Sequence, residues 1–358
     1  MEFKSDFEDL EPYYRAFWAN ETLDRVAISV TAPRGPIIAD IVNFYDPHVA
    51  YTESAERLIE SFEEVCRHTF YGGLAYPYFW PNFGPDVFSA FLGAELKFSE
   101  DSHGTSWVEW SELLPGYDDL SPLEIRDDNA CFQRILAITR AAAERSRGRY
   151  LLGITDLHAG FDALSVVRGG PERAALDLLE HPDGVKAALR VLYRSWEKAY
   201  ESAYRIIQPV QRGATCWISL WAPGRMYSVQ NDLSCLISAA MYEEFLLEEL
   251  QAELDHLDYS IYHLDGVEAL QHLDLLLDLP KLNAVQWVSG ARFDADGIAR
   301  WIPLFRKIQS KGKAIIVYPR VKEIPLVLES LKPEGLWLQV NCSSEPEARE
   351  VLRLCEWS

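Results

Sequence analysis

From about residue 127 onward the chain alternates two hydrophobic rhythms. Short continuous runs rich in β-branched and aromatic residues are separated by longer stretches in which apolar residues recur at helical spacing. The runs at 150–155, 214–220, Tyr259–Asp265, Ala284–Val288, 313–318 and 336–340 are expected as strands. Helical spacing covers 129–147, 172–179, 183–207, 239–254, 267–276, 296–309, 321–331 and 345–354. The N-terminal third is less regular. An amphipathic helix is expected at 7–18 and a strand at 25–32, which runs into the turn Pro33-Arg34-Gly35-Pro36. A helix at 52–68 and a strand at 74–78 follow. The stretch 71–116 is crowded with Tyr, Trp, Phe, Pro and Gly and ends in Ser106-Trp107-Val108-Glu109-Trp110, a hairpin-strand pattern.

Strands that alternate with helices imply a parallel sheet. About eight strands, with no GxGxxG after any of them, point to a closed (β/α)8 TIM barrel rather than a dinucleotide-binding sheet. No break in composition divides the chain, so residues 1–358 are expected as one domain, with 1–24 as an N-terminal helical segment and 71–126 as an insert or lid.

Composition narrows the partners. Apolar residues make up 48% of the chain and aromatic residues 12%, enough for a large core. A formal charge of -21 disfavours nucleic acid and anionic membranes as partners, and makes a small molecule the expected one. Six cysteines lie scattered with no CxxC pair, and the first residues carry no basic-then-apolar leader. Free thiols in a cytoplasmic protein are therefore expected.

In a barrel the chemistry gathers at the C-terminal ends of the strands. Those ends carry Asp156 and His158, Ser219 and Trp221, His263 and Asp265, Ser289, Tyr318 and Arg320, and Asn341 and Cys342. On a strand, residues two apart face the same side, so His263 and Asp265 are expected to point together. With Cys342 they could hold a metal and leave a position open for substrate. As an acid/base pair they could instead move a proton. The alternative is structural: Asp265 as a helix cap, His263 as a hydrogen-bonded interior residue and Cys342 as a small apolar filler. Asp156 and His158 share the same spacing and the same two readings. Asp232, in the turn-rich Ser228-Val229-Gln230-Asn231-Asp232, could anchor a substrate or make local turn bonds. Arg34, Tyr78, Trp80, Trp221 and Arg320 are candidate substrate contacts, the aromatic ones as walls for a flat ligand.

Four stretches carry a resemblance to a known family: ITDLHAGFDALSVVRGGPERAALDLLEHPDGV, QNDLSCLISAAMYEEF, YHLDGVEALQHLDLLLDLPKLNAVQWVSG and QVNCSSEPEAREVL. They resemble the uroporphyrinogen decarboxylase superfamily over most of the chain from about residue 25. The resemblance implies a (β/α)8 barrel and one of two chemistries. Methyltransferases of this family bind zinc through a His-x-Cys pair and a second Cys, and take the methyl group from a corrinoid protein. This chain matches them at His263 and Cys342, with Asp265 in place of the middle Cys. The decarboxylases grip substrate carboxylates with an arginine-rich loop, where this chain has Arg34 alone, and Asp232 lies in a family-like position.

The expected function is therefore zinc-assisted methyl transfer from a methyl-corrinoid partner to a small acceptor. Asp156, His158 and Asp232 are the expected catalytic residues and His263, Asp265 and Cys342 the metal ligands. Decarboxylation of a carboxylated tetrapyrrole is the alternative, and a ligand-binding barrel without chemistry is a second one. A homodimer is implied by analogy alone.

Overall fold

The computed structural model describes residues 1–98, 105–290 and 297–357. The first part of the chain contributes β1 (Ala27–Pro33), β2 (Thr69–Gly73), β3 (Tyr78–Phe79), β4 (Leu96–Lys97) and β5 (Trp107–Val108). From the regular part come β6 (Leu151–Ile154), β7 (Thr215–Cys216), β8 (Met226–Val229), β9 (Tyr259–Asp265), β10 (Ala284–Val288), β11 (Ala314–Val317) and β12 (Leu336–Asn341). The largest sheet has the order β2-β1-β12-β11-β10-β9-β8, a second has the order β3-β6-β7, and β4 pairs with β5 alone. Within the largest sheet every pairing is parallel except β1 with β2.

The closed eight-stranded TIM barrel expected from the sequence is therefore corrected. The chain is a mixed α/β fold whose strands divide into sheets of seven, three and two. Two local causes are visible. After the helix Ala55–Arg67 the chain reverses and β2 runs antiparallel along β1, with Ser29 opposite Gly73 and Pro33 opposite Thr69. That fills the edge a second parallel strand would need. The expected strand at 74–78 becomes a turn instead, opened by Gly73 at φ +56° and held by Leu74 N–H donating to Ile28 C=O at 2.7 Å. The second cause lies in the expected strand at 214–220, which stops after Cys216. Ala214 and Ala222 exchange two backbone hydrogen bonds of 2.9 Å, so the chain doubles back and Ser219 is forced to φ +63°. Among the described residues no ladder joins β2 to β3 or β7 to β8.

Helices cover the outside. Ala55–Arg67 starts at Ser54, whose hydroxyl accepts from Arg57 N–H at 3.1 Å, and buries Leu58, Ile59, Phe62 and Cys66 on one face. The long helix Pro182–Ile207 packs on Ala130–Ser146 and Leu247–His256. Of the helix expected at 296–309, Asp296 lies outside the described residues; the rest is a short 3-10 turn, Ile298–Trp301, and the helix Ile302–Ser310. One connected apolar core runs from Leu10 to Trp357 through both larger sheets. No helix among the described residues is long and apolar enough to cross a membrane.

Where the ladder between the second sheet and β8 is missing, a buried side chain bridges the gap. Tyr227 of β8 accepts the Leu157 N–H at 2.6 Å and donates its hydroxyl proton to the Thr155 carbonyl at 3.0 Å. This holds the segment that carries Asp156. Tyr227→Phe leaves both backbone groups buried without their partner, which costs about 1–3 kcal/mol. Urea unfolding should show a lower midpoint with an unchanged slope; an unchanged midpoint would mean the bridge does not hold the sheets together.

Candidate functional site

β9 brings the first two functional side chains together. Its alternation puts His263 and Asp265 on one face and buries Tyr262 and Leu264 on the other. Gly266, at φ +82°, ends the strand. The 3-10 turn Val267–His272 that follows has no side-chain cap, and Asp265 Oδ1 is buried without a hydrogen-bond partner. Asp265 is thus not a helix cap. In register with His263 on β10 lies Gln286. The Gln286 Oε1 accepts from His263 Nδ1 at 2.6 Å, while Gln286 Nε2 donates to the Tyr318 hydroxyl at 2.7 Å. With the Nδ1 proton committed there, the Nε2 lone pair of a neutral His263 is left over. Burial pushes the His263 pKa down, and the neighbouring Asp265 charge does not reverse this.

The other members arrive on two loops. Asp156 and His158 follow β6, and Asp232 opens the turn after β8. His158 Nε2 is 3.1 Å from Asp156 Oδ1, which also accepts the Gln230 amide N–H at 3.3 Å. His158 Nδ1 lies 3.8 Å from Asp232 Oδ2. Burial, with the neighbouring His263, holds the His158 pKa down at about 3, so the ring is neutral near pH 7.

Asp232 is placed by a reciprocal lock. Asp162, on the helix Gly160–Val167, accepts the backbone N–H of Asp232 at 2.8 Å and of Leu233 at 2.7 Å. Asn231 Oδ1 in turn accepts the Phe161 N–H at the start of that helix at 3.0 Å. Gly160 makes the approach possible: at φ +55°, a Cβ there would lie 2.5 Å from Asn231 Oδ1.

Two sets of potential metal-ligand atoms result, each within 4.8 Å: Asp232, His263 and Asp265, and His158, Asp162 and Asp232. Among the described residues none of these carboxylates is ion-paired with Lys or Arg. Burial, then the Asp265 charge, pushes Asp232 up to about 7; burial, then Asp232, pushes Asp162 up to about 8. Asp156 is raised by the same two causes. A cavity of about 530 Å³ lined by Trp217, Gln286, Tyr318, Arg320 and Gln339 opens beside the His263–Gln286 pair. The ring of Trp217 meets His263 edge to face at 5.1 Å.

The structure thus brings together Asp156, His158, Asp232, His263 and Asp265. Cys342 does not join either set. It lies beyond the end of β12, three strands from β9, roughly 14 Å at ordinary strand spacing. Arg320 lines the cavity near His263, bound to Glu323. Arg34 faces a different cavity, with Lys4 and Arg349, and pairs with Glu345 at 3.0 Å. Tyr78 lines a third, smaller cavity with Thr31 and Asn341, and Trp80 packs on Tyr45. Trp221 is buried in the core against Phe7 and Tyr14. Sequence reasoning missed Asp162, Gln230 and Gln286. Asp162 could have been suspected from its place on the helix that follows Asp156; Gln286 required the β9–β10 register.

Compared with the known protein families and with the curated proteins, the chain matches none.

Behind the site, Glu249 and Glu253 are buried beside each other, and among the described residues neither is ion-paired with Lys or Arg. Burial pushes Glu249 up to about 8 and raises Glu253 as well. A carboxyl whose folded pKa exceeds its unfolded one stabilises fully below about pH 4.5 and loses that contribution as pH rises through the folded value. Wild-type stability should therefore fall from pH 6 to pH 9, and Glu249→Gln should make that fall shallower. Urea midpoints across this range test it; parallel curves would show that Glu249 ionises normally.

Proposed function

We propose that the chain is an enzyme in which Asp232, His263 and Asp265 hold a divalent cation, and that its reaction is metal-assisted methyl transfer to a small acceptor. The methyl donor in this reading is a corrinoid-carrying partner protein. The observation that supports the cation is the pairing of uncompensated carboxylates with a neutral imidazole. Asp232 Oδ1 and Asp265 Oδ1 are both buried without a partner, beside a His263 whose other nitrogen is already engaged. A buried carboxylate left like this costs several kcal/mol unless it is protonated or meets a cation.

The donor set of one imidazole and two carboxylates fits zinc, manganese or ferrous iron better than a thiol-seeking ion. Such a cation, when bound, lowers the pKa of an acceptor held on it. The chain's own residues do the rest. Gln286 and Tyr318 fix the tautomer and angle of His263, as outer hydrogen-bond partners of metal-binding histidines do. Trp217 closes one side of the ring, and the adjoining cavity admits the acceptor. The methyl-transfer step itself rests on the family resemblance.

Asp232 also favours a second reading. A carboxyl pushed up to about 7 could donate a proton to the carbanion left by decarboxylation. A polycarboxylate would need arginines to hold it. Arg34 opens on a different cavity, and both Arg34 and Arg320 are already ion-paired.

Elemental analysis of the purified, zinc-supplied protein tests the proposal. His263→Ala and Asp265→Asn should each lower bound divalent metal by about one equivalent per chain, and Cys342→Ala should leave it unchanged. Gln286→Ala should weaken binding about 10–100-fold. A wild-type protein without metal would overturn the cation and favour the proton-donor reading of Asp232.

A further inference from the structure

The lone pair on His158 has no role in a site built from Asp232, His263 and Asp265 alone. Around His158 and His263 the described residues offer two ligand sets rather than one, and these share a single member, Asp232. No set of atoms within that mutual reach contains both histidines. Each histidine has an oxygen close to one ring nitrogen. His263 donates Nδ1–H to Gln286, while His158 sets Nε2 3.1 Å from Asp156 Oδ1 and Nδ1 3.8 Å from Asp232 Oδ2. A carboxylate or amide oxygen behind the ring is the usual outer partner of a metal-binding histidine.

A further unsatisfied group lies two residues before Asp232 in the chain. Gln230 is only 4% exposed. Its amide nitrogen is bound to Asp156, and its Oε1 is buried with no partner at all. A buried amide oxygen without a donor can be satisfied by a cation or by a water bound to one. The two Asp162 oxygens each accept one backbone N–H, which leaves each a lone pair.

We propose a second cation site, formed by His158, Asp162 and Asp232 with Gln230 beside it, so that Asp232 bridges two divalent ions. This rests on the reading of Asp232, His263 and Asp265 as the first cation site. Carboxylate-bridged ion pairs act as a clamp on one substrate oxygen or on a shared water, with the ions about 3.5–4 Å apart. The ligand class this adds is a small molecule with an oxygen atom that both ions can touch. Only oxygen and imidazole donors are offered, which suits Mn2+, Fe2+ or Zn2+.

Manganese is the probe, because two bridged Mn2+ ions couple magnetically and an isolated one does not. Chelator-stripped protein titrated with Mn2+ should take up about two equivalents and give a spin-coupled electron paramagnetic resonance spectrum. His158→Ala should bind about one equivalent, with the uncoupled six-line spectrum and at least about 100-fold weaker uptake of the second ion. His158→Gln, which keeps a polar side chain against Asp156, should do the same and guards against misfolding, checked by circular dichroism. His263→Ala should retain the other ion, also uncoupled. A single uncoupled equivalent in the wild type, lost with His263→Ala and untouched by both His158 variants, would overturn the second site and leave the first standing. No Mn2+ and no zinc in the wild type would overturn both.

Discussion

The structure depends on the lock between the helix Gly160–Val167 and the turn at Asn231–Asp232. Among the described residues no backbone ladder crosses from the sheet that contains β6 to the sheet that contains β8, so their relative position rests on side chains. Asp162 caps the Asp232 turn, Asn231 caps the helix, and Tyr227 ties β8 to the segment after β6. These polar contacts are buried or partly buried, and they are costly if one partner is lost. The same contacts place Asp156, His158 and Asp232. Joining the sheets and building the site are one task here.

This arrangement concentrates negative charge where it is hardest to keep. Asp156, Asp162 and Asp232 are all held above the usual carboxylate range, chiefly by burial, and the two histidines are held neutral. In the absence of a cation the cheapest solution is to protonate the acids, which opposes stability as pH rises. A cation that displaces those protons removes the penalty and stabilises the folded state by its own binding. The overall charge of -21 draws cations toward the protein and keeps the site from attracting an anion. Stability and metal affinity are thereby linked through the same carboxyls.

How much of this was legible follows from the range of the interactions. β9, β10 and β12 could be read from their apolar runs, and the i, i+2 spacing of His263 and Asp265 placed both on one face, because strand periodicity is local. Asp156 and His158 carry the same spacing, but they lie on the loop after β6, so strand alternation does not account for their approach. The closed barrel was not formed because closure is decided by pairings between distant segments. Nothing in Leu74–Tyr78 announces that Thr69–Gly73 will already have filled the edge of β1, and nothing in Ala214–Leu220 announces the Ala214–Ala222 reversal. β8 was too short to stand out, so Asp232 was grouped with His158 through the family resemblance and not through any reading of the strands. Cys342 was placed with His263 on the assumption of closure. In the open order β12-β11-β10-β9 the two lie three strands apart.

The loss of Cys342 from the ligand set changes the chemistry that the site can support. Burial, with the nearby Glu347, pushes the Cys342 thiol up to about 11, and Cys342 lies outside both ligand sets. Where the resembling methyltransferases gather two thiolates, this chain has Asp265 and Asp232. Thiolates pass charge to zinc and soften it toward a sulfur acceptor. Carboxylates leave the ion harder, with stronger pull on an oxygen or a water molecule. Under the proposed methyl transfer, the acceptor would be recognised through oxygen rather than sulfur. The residues around the ligands agree with that preference, since Gln286, Tyr318, Gln230 and Asp156 surround the two histidines with oxygen and amide groups.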